Sequence, residues 1–411
     1  MTGRADSGKS LALPAFLVAL LPLAALATLQ NGLPVMAPAL MQAAGARPES
    51  FGWVGGAMGL GAVWLYMANA AFTTSLGPLR STRAAAGIAA TGVALILTGV
   101  FALMMLGGLL VGFGYATMTP AGTQIMADHT PRARRNTLFS IRQAGVPLGG
   151  ALAGIVCSSL VVAFGWRWAL GGLGVMALLI LPGLLAAPVA LNGPSERRSP
   201  FRIRRLFEAQ NLTAPFRSVA TSPELVRLSA ACIGFAMVQG TVNTFLVTYT
   251  TTDLDLPLTL AGSLFAVMQS ASVAGRLGLG FIADHLGSSR PVLRVLSVMS
   301  AASALLLTQI GADWPPWQLY AALAFTGISI STWNGLYLAD VATIAPDRVS
   351  DATASTTFFV FATYMVTPPI MALIIPFAGY RAAFVIAAVG ALSAGLVLSR
   401  LWPSGRAARH S

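Results

Sequence analysis

Long apolar runs follow one another along almost the whole chain. A run of about 20 residues crosses the hydrocarbon core of a bilayer as one helix. The first run is longer than a signal-peptide core and lacks a small-residue cleavage site, so we expect it to remain in the protein. The pattern predicts an all-α membrane protein with twelve spans, near residues 13–42, 51–73, 84–101, 102–127, 136–164, 168–190, 226–250, 258–283, 291–311, 316–341, 351–375 and 380–401.

The composition excludes a soluble enzyme. Hydrophobic residues make up 56% of the chain and charged residues 9%, whereas soluble domains carry about 25% charged residues. Cys157 and Cys232 both fall inside apolar runs, so they indicate neither a disulfide framework nor a metal site. The segment 3–10 matches a phosphate-binding loop, but two residues precede it and a span follows, so the required strand is missing. We therefore predict no enzyme activity, no cofactor and no metal.

The basic residues predict the orientation of the chain. With both termini in the cytoplasm, 20 of the 25 Lys and Arg residues fall on the cytoplasmic side, as in most membrane proteins. The longest loop, residues 191–222, contains six of these arginines, and we interpret it as a cytoplasmic linker attracted to anionic lipid. We therefore expect a monomer in a bacterial inner membrane, with the lipid bilayer and no nucleic acid as partner.

An internal repeat divides the chain. Ala70–Arg80 aligns without a gap on Gly280–Arg290, and Gln30 aligns on Gln239 at nearly the same offset. We predict an N-terminal six-helix half at 1–190, the linker at 191–222 and a C-terminal half at 223–411. Parallel repeats of this kind are typical of transporters, which hold substrate near the midplane between the halves.

The second copy of the repeat carries a motif. Gly280-x-x-x-Asp284-His285-x-Gly287-x-x-Arg290 resembles the signature loop of the major facilitator superfamily. The resemblance covers essentially the whole chain and implies twelve helices in two pseudo-symmetric halves, with transport by alternating access. It also implies that Gly280, Asp284, Gly287 and Arg290 belong to a gate, in which Asp284 would meet the start of the fifth span near residues 134–136. The first copy has Thr74 in place of the acid.

The fifth span is rich in glycine. Gly145, Gly149, Gly150 and Gly154 form one small-residue face, which predicts close packing against another helix. The segment around Pro147 resembles a drug-antiporter motif, but it has one residue too few before the glycine pair. We therefore do not assign an antiporter function from it.

Two arginines lie inside predicted spans. Arg142 is about 10 Å and Arg276 about 12 Å from the nearer span end, at about 1.5 Å per residue. Buried charge is costly in a membrane and usually functional, although a long side chain can also reach the headgroups. In the superfamily resemblance the fifth and eighth helices face each other, and Arg276 is similar to the carboxylate-binding arginine of oxalate and monocarboxylate carriers. The resemblance therefore places both arginines in a central cavity.

Polar residues at similar depth complete the predicted site, although each could instead bond a neighbouring helix. These candidate substrate-binding residues are Gln30, Asn31, Gln143, Gln239, Asn243, Gln269, Asn334 and Tyr364. The main hypothesis is a secondary transporter for a small organic anion, a mono- or dicarboxylate. A drug or metabolite exporter and a non-transporting sensor or scaffold are the alternatives. Since the acids lie at or near helix ends, a buried carboxylate relay for protons is disfavoured; anion exchange and entry with a proton both remain open.

Overall fold

A computed structural model describes residues 3–129, 135–193, 200, 202–345, 347 and 349–400. The chain is all-α over these residues. Short 3-10 segments at Pro48–Ser50, Val189–Asn192 and Ile203–Phe207 and a π-helical turn at Ala70–Thr74 connect the helices. The helices are α1 Gly3–Val35, α2 Ala37–Ala43, α3 Phe51–Asn69, α4 Pro78–Leu97, α5 Phe101–His129, α6 Arg135–Phe164, α7 Trp166–Ala186, α8 Ala209–Ala220, α9 Pro223–Thr252, α10 Leu258–His285, α11 Arg290–Leu307, α12 Pro316–Ser331, α13 Trp333–Ile344 and α14 Val349–Arg400.

These helices supply the twelve predicted spans. Within the described residues, nine helices are long and apolar enough to cross a membrane. The last of them covers two spans, because Gly379 has φ 75°, outside the helical region, and divides α14. Glycine tolerates this backbone conformation at little steric cost. These nine helices make ten passes, and α4 together with the broken span α12–α13 brings the total to twelve in the part of the chain that is described.

One helix start and two interruptions within spans differ from the sequence prediction. The fourth helix begins at Pro78, six residues before the predicted start of the third span at residue 84. The first span is interrupted at Met36, next to Pro34 and Pro38, because proline lacks the N–H that a continuous helix needs. The tenth span is interrupted at Thr332, between α12 and α13. This second interruption lies next to the candidate site.

Two seams join the first seven helices to the later ones, α3 against α14 and α6 against α10. Glycines make both seams close. A Cβ placed on Gly56 would collide with the Pro369 ring, and one on Gly154 would collide with the backbone of Gly262. The fifth-span glycines therefore pack closely against two helices, Gly145 and Gly149 against α1 and Gly150 and Gly154 against α10. Small residues allow these backbones to approach, as the sequence predicts.

The linker contains a helix that the sequence prediction lacks. Helix α8 packs mainly on α14, through Phe216, whose ring contacts Phe358 and Phe359. Just before α8, Phe207 packs on Trp64 of α3, and the Trp64 indole N–H donates to the Leu206 carbonyl at 3.2 Å. The linker is therefore attached to both halves of the molecule, on the side that we call the linker face.

Candidate functional site

Arg276 faces the broken tenth span. Its Nε donates to the carbonyl of Ser331, the last residue of α12, at 3.3 Å. A helix break at membrane depth leaves backbone groups without their usual partners, and they need other ones. The remaining guanidinium nitrogens make no hydrogen bond or ion pair with the described residues. Nε of Arg276 is therefore bonded, whereas Nη1 and Nη2 have no partner among the described residues. We call these two nitrogens the open part of the Arg276 fork.

Two tyrosines lie close enough to Arg276 to interact with its charge. The charge of Arg276 acts on the hydroxyl of Tyr115, from α5, and on that of Tyr364, from α14. These two rings come from opposite sides of the α3–α14 seam. The arrangement places one permanent cation next to neutral hydrogen-bonding groups, without an ion-paired acid among the described residues.

Gln239 organises the second half of the site. Its Oε1 accepts hydrogen bonds from Trp333 Nε1 at 3.0 Å, Asn334 Nδ2 at 3.3 Å and the Tyr364 hydroxyl at 2.8 Å. Its Nε2 donates to the Ser331 hydroxyl at 3.5 Å. One buried carboxamide thus fixes the start of α13 and the tyrosine next to Arg276. The structure brings four predicted site residues together here: Arg276, Gln239, Asn334 and Tyr364.

Arg142 is bonded to the backbones of α1 and α5 in this structure. Its side chain is 1% exposed, against Gly122 of α5. Its nitrogens donate to the carbonyls of Ala19 at 3.2 Å, Met118 at 2.6 Å and Thr119 at 3.4 Å, and Nη1 donates to the Thr123 hydroxyl at 3.5 Å. In this conformation the Arg142 fork is therefore filled by α1 and α5 and does not open into a cavity. The neighbouring Gln143 points away and is exposed.

Asn31 and Gln269 connect the two halves. Gln269 Nε2 donates to Asn31 Oδ1 at 3.1 Å, and Asn31 Nδ2 donates to the Ala27 carbonyl at 2.8 Å. The Gln269 carboxamide lies over Gly150, where a Cβ would leave no room for it. These two predicted residues therefore serve the contact between α1, α6 and α10.

A cavity lies beside Tyr364, which forms part of its wall. Helices α1, α3, α9 and α14 line this cavity, and its volume is about 90 Å³. On the same measure one water molecule needs about 10–15 Å³, so the cavity has room for a small molecule. Four predicted residues, Gln30, Asn31, Asn243 and Tyr364, contribute polar side chains. Apolar side chains make up much of the remaining wall, among them Pro34, Phe51, Met58, Phe361 and Pro368.

The predicted gate residues lie on the linker face. Gly287 has φ 63° and ends α10 in the left-handed conformation that favours glycine. Arg290 forms ion pairs with Asp340 of α13 at 3.1 Å and with Glu224 of α9 at 3.5 Å. Asp284 is exposed and makes no ion pair with the described residues. The Arg290 pairs tie three helices of the second half together.

The remaining gate prediction is only partly visible. Gly280 has open space where a Cβ would point. Residue 134, one of the predicted partners of Asp284, lies outside the described residues, and the structure does not describe the side chains of 135 and 136. In the first-half copy of the loop, the Arg80 N–H donates to Asn192 Oδ1 at 3.1 Å, and Asn192 Nδ2 donates to the Leu76 carbonyl at 3.2 Å. An uncharged residue thus holds the loop whose acid is replaced by threonine.

Sequence reasoning missed three residues of the first half, Tyr66, Tyr115 and Thr119. The hydroxyls of Tyr66 and Thr119 interact with each other, and the charge of Arg142 acts on both tyrosines. A tyrosine inside an apolar span is a polar group that needs a partner, which is a usable signal. The repeat gave a second signal, because it aligns Thr119 with Asn334.

Within the described residues, no cluster of His, Cys, Asp or Glu could hold a metal ion.

Comparison with known proteins then identifies the fold. A sequence model of the Major Facilitator Superfamily matches residues 19–363. An uncharacterised MFS-type transporter of Mycobacterium tuberculosis is 28% identical over 340 residues, which is 80% of this chain and 71% of that protein. An MFS-type transporter of Gibberella moniliformis is 28% identical over 237 residues, 56% of this chain and 51% of that protein.

Solved structures show the same architecture. The human organic anion transporter MFSD10 (TETRAN) superposes with a TM-score of 0.68 at 17% identity, over 95% of this chain and 99% of that one. A mutant of the nucleoside transporter NupG superposes with a TM-score of 0.73 at 14% identity, over 96% of this chain and 100% of that one. A mutant of the peptide transporter POT gives a TM-score of 0.73 at 15% identity, over 96% and 97%. These proteins transport different substrates and share little sequence with this chain, so the superpositions show the fold alone.

Proposed function

Because this chain belongs to the Major Facilitator Superfamily, we propose that it is a secondary transporter that moves a small organic anion, a mono- or dicarboxylate, by alternating access. The observation that carries the proposal is the open guanidinium fork of Arg276. It lies at the break between α12 and α13 in the second half, bonded at one nitrogen and without an ion-paired acid among the described residues. A permanent cation in that position favours a ligand of opposite charge.

Arginine suits a carboxylate for two reasons. The guanidinium stays charged in proteins, and its planar fork donates two parallel hydrogen bonds to the two carboxylate oxygens. The hydroxyls of Tyr115 and Tyr364 offer further hydrogen bonds from opposite sides of the α3–α14 seam. An anion at this point would therefore contact Arg276 and Tyr364 together with the first-half residue Tyr115.

The energetics connect binding to movement. An unpaired arginine at membrane depth costs about 2.5–3.5 kcal/mol on insertion scales. An anion that pairs with Arg276 removes part of that cost, and the two tyrosines can contact it fully only while the halves are close. Such a ligand binds the closed state more tightly than the open ones, and only a differential affinity of this kind can shift a conformational equilibrium.

Arg142 takes a positioning role in this proposal. Its hydrogen bonds hold α1 and α5 against α6, and its charge acts on Tyr115, which faces the anion. The anion site therefore consists of Arg276 with Tyr115 and Tyr364, in place of a clamp made from both arginines.

We also propose the orientation and location. The linker face carries the long basic loop and would be cytoplasmic, with both chain ends on that side. The mycobacterial relative supports a bacterial inner membrane. The close α3–α14 seam runs along the end of α3 that is remote from the linker, so the side opposite the linker face is the closed one.

A binding panel tests the proposal. Purified protein in detergent is titrated with acetate, butanoate, oxalate and succinate, and the unfolding midpoint is measured, since a ligand that binds the native state stabilises it by mass action. At least one carboxylate should raise the midpoint of the wild type and leave that of Arg276→Gln unchanged. Arg276→Lys, which keeps the charge but loses the fork, should respond weakly. The proposal is wrong if no carboxylate shifts the wild type or if the shift persists in Arg276→Gln.

Transport measurements separate the exporter alternative. In proteoliposomes, Arg276→Gln should abolish counterflow of the carboxylate that stabilises the protein. If the wild type instead moves neutral apolar compounds, and Arg276→Gln moves them equally well, the exporter assignment replaces ours.

A further inference from the structure

The cavity beside Tyr364 contains two carboxamides that the protein itself does not satisfy. Gln30 Oε1 and Asn243 Oδ1 are both buried and have no hydrogen-bond partner among the described residues. Both residues line the same cavity, one from α1 in the first half and the other from α9 in the second. Buried polar groups nearly always have partners, so two unbonded oxygens on residues that line one cavity need an explanation.

The surroundings of these two side chains are largely apolar. Apolar groups such as Phe51, Met58 and Phe361 form much of the surrounding wall. By contrast, Gln239, one turn from Asn243 on α9, is fully engaged by Trp333 and its other donors. The oxygens of the two carboxamides at the cavity are thus unbonded, whereas that of their neighbour Gln239 accepts three hydrogen bonds.

The cavity adjoins the anion site. Tyr364 lines it, donates to Gln239 and lies within the field of Arg276. A Cβ placed on Gly240 would lie 2.9 Å from the Tyr364 ring, so the ring is packed directly on α9. One small molecule could therefore contact Arg276 at one end and the two carboxamides at the other, with the Tyr364 ring beside it.

We propose that the substrate is a hydroxy-carboxylate whose hydroxyl is bound between Gln30 and Asn243. This inference rests on the proposed function, because it assigns the carboxylate to Arg276. A carboxamide offers both a donor and an acceptor, whichever way round it is oriented. A hydroxyl also donates and accepts, so it can donate to one of the two carboxamides and accept from the other.

Charge decides against an amine at the same position. An ammonium group has donors only and could also reach two amide oxygens. However, no acidic side chain lines this cavity among the described residues, and the charged group in the adjoining network is the cation Arg276. A second positive charge would be desolvated there without a counter-ion, which is expensive. The site therefore selects a neutral hydroxyl over an ammonium.

Matched ligands test this assignment. Butanoate, the three positional isomers of hydroxybutanoate and the corresponding aminobutanoates are titrated against the full-length protein, with the unfolding midpoint and counterflow as readouts. At least one hydroxy isomer should bind about tenfold or more tightly than butanoate, the ratio that one well-made hydrogen bond to a buried group supports. No aminobutanoate should bind more tightly than butanoate.

Variants locate the effect. Gln30→Met and Asn243→Leu keep the side-chain size, and each should remove most of the hydroxyl preference while still binding butanoate, which also shows that the variants are folded. Gln42→Met, at an exposed position on α2, is the matched control and should keep the preference. A preference that persists in both cavity variants, or equal binding of butanoate and all hydroxy isomers, overturns the inference while the anion site stands. If butanoate and the other carboxylates all fail on the wild type, the proposed function fails, and this inference fails with it.

Discussion

Arg142 and Arg276 have similar depth in the sequence and opposite situations in the structure. Arg142 is 1% exposed, and carbonyls of α1 and α5 and one hydroxyl occupy its nitrogens. Arg276 has a single hydrogen bond, to a carbonyl at a helix break, and its charge acts on two tyrosines. The difference teaches that the depth of a charge does not define its role. What decides is whether the surrounding backbone already fills the fork.

The comparison predicts that replacing Arg276 lowers transport, whereas replacing Arg142 lowers stability. The larger effect is expected at Arg276. Replacing Arg276 with Gln should reduce carboxylate transport by about 30-fold or more, since truncating one partner of a buried charge pair costs about 2–5 kcal/mol. The ligand-free unfolding midpoint should change little or rise, because an incompletely paired charge disappears. Counterflow together with the ligand-free midpoint measures both effects. A large fall in the ligand-free midpoint would show that Arg276 is structural.

Arg142→Gln should produce the reverse pattern. The shorter side chain cannot reach all of its acceptors, and each buried group left unsatisfied costs about 1–3 kcal/mol. We expect a loss of stability of a few kcal/mol, visible as a clearly lower unfolding midpoint in detergent. The remaining folded protein should still be stabilised by the carboxylate that stabilises the wild type. Loss of that response with an unchanged midpoint would return Arg142 to the binding site.

A glycine contact allows a milder test of Arg142. A Cβ at Gly122 would lie 2.6 Å from Arg142 Nη2, so Gly122→Ala should push the guanidinium away from its carbonyls. The expected destabilisation is about 1–3 kcal/mol, the usual cost of overpacking. Gly87→Ala on α4 is the matched control, since a Cβ there meets nothing within 4 Å. Equal midpoints for the two variants would mean that the packing around Arg142 is not tight.

The smallest effect concerns the gate on the linker face. Asp284 is exposed, so Asp284→Asn should leave stability unchanged and alter transport by a few-fold at most, through its contribution to closing that side. Asp340→Asn should do more, because it weakens the buried end of the Arg290 ion pair. Transport rates and the labelling of cysteines introduced on the linker face provide the measurement. If Asp284→Asn changes neither, the gating role taken from the family resemblance is wrong.

The sequence predicted much of this architecture because long apolar runs leave few options in a membrane. The spans follow from run length, and the break at Gly379 falls in the gap between the last two predicted spans. The close packing of the fifth span follows from its glycines, since small residues let backbones approach. Each of these predictions depends on local sequence alone.

The site was harder to predict because it depends on which helix face meets which neighbour. Depth identified Arg276, Gln239 and Asn334 as candidates, and the structure brings them together at Thr332. Depth could not separate Arg142 from Arg276, because the carbonyls that fill the Arg142 fork come from residues 19 and 118, far away along the chain. The break at Thr332 itself has no proline or glycine at its centre, so composition did not indicate it.

The aromatic contacts of the linker set a limit on how far the two halves can separate. Phe207 is attached to Trp64 of the first half and Phe216 to Phe358 of the second. The nine residues from one ring to the other span about 14 Å if they are mostly helical, at about 1.5 Å per residue. While both rings remain seated and α8 stays helical, the chain acts as a spacer of fixed length. The distance by which the two halves can separate on the linker face is then limited by this segment of the chain, independently of the substrate.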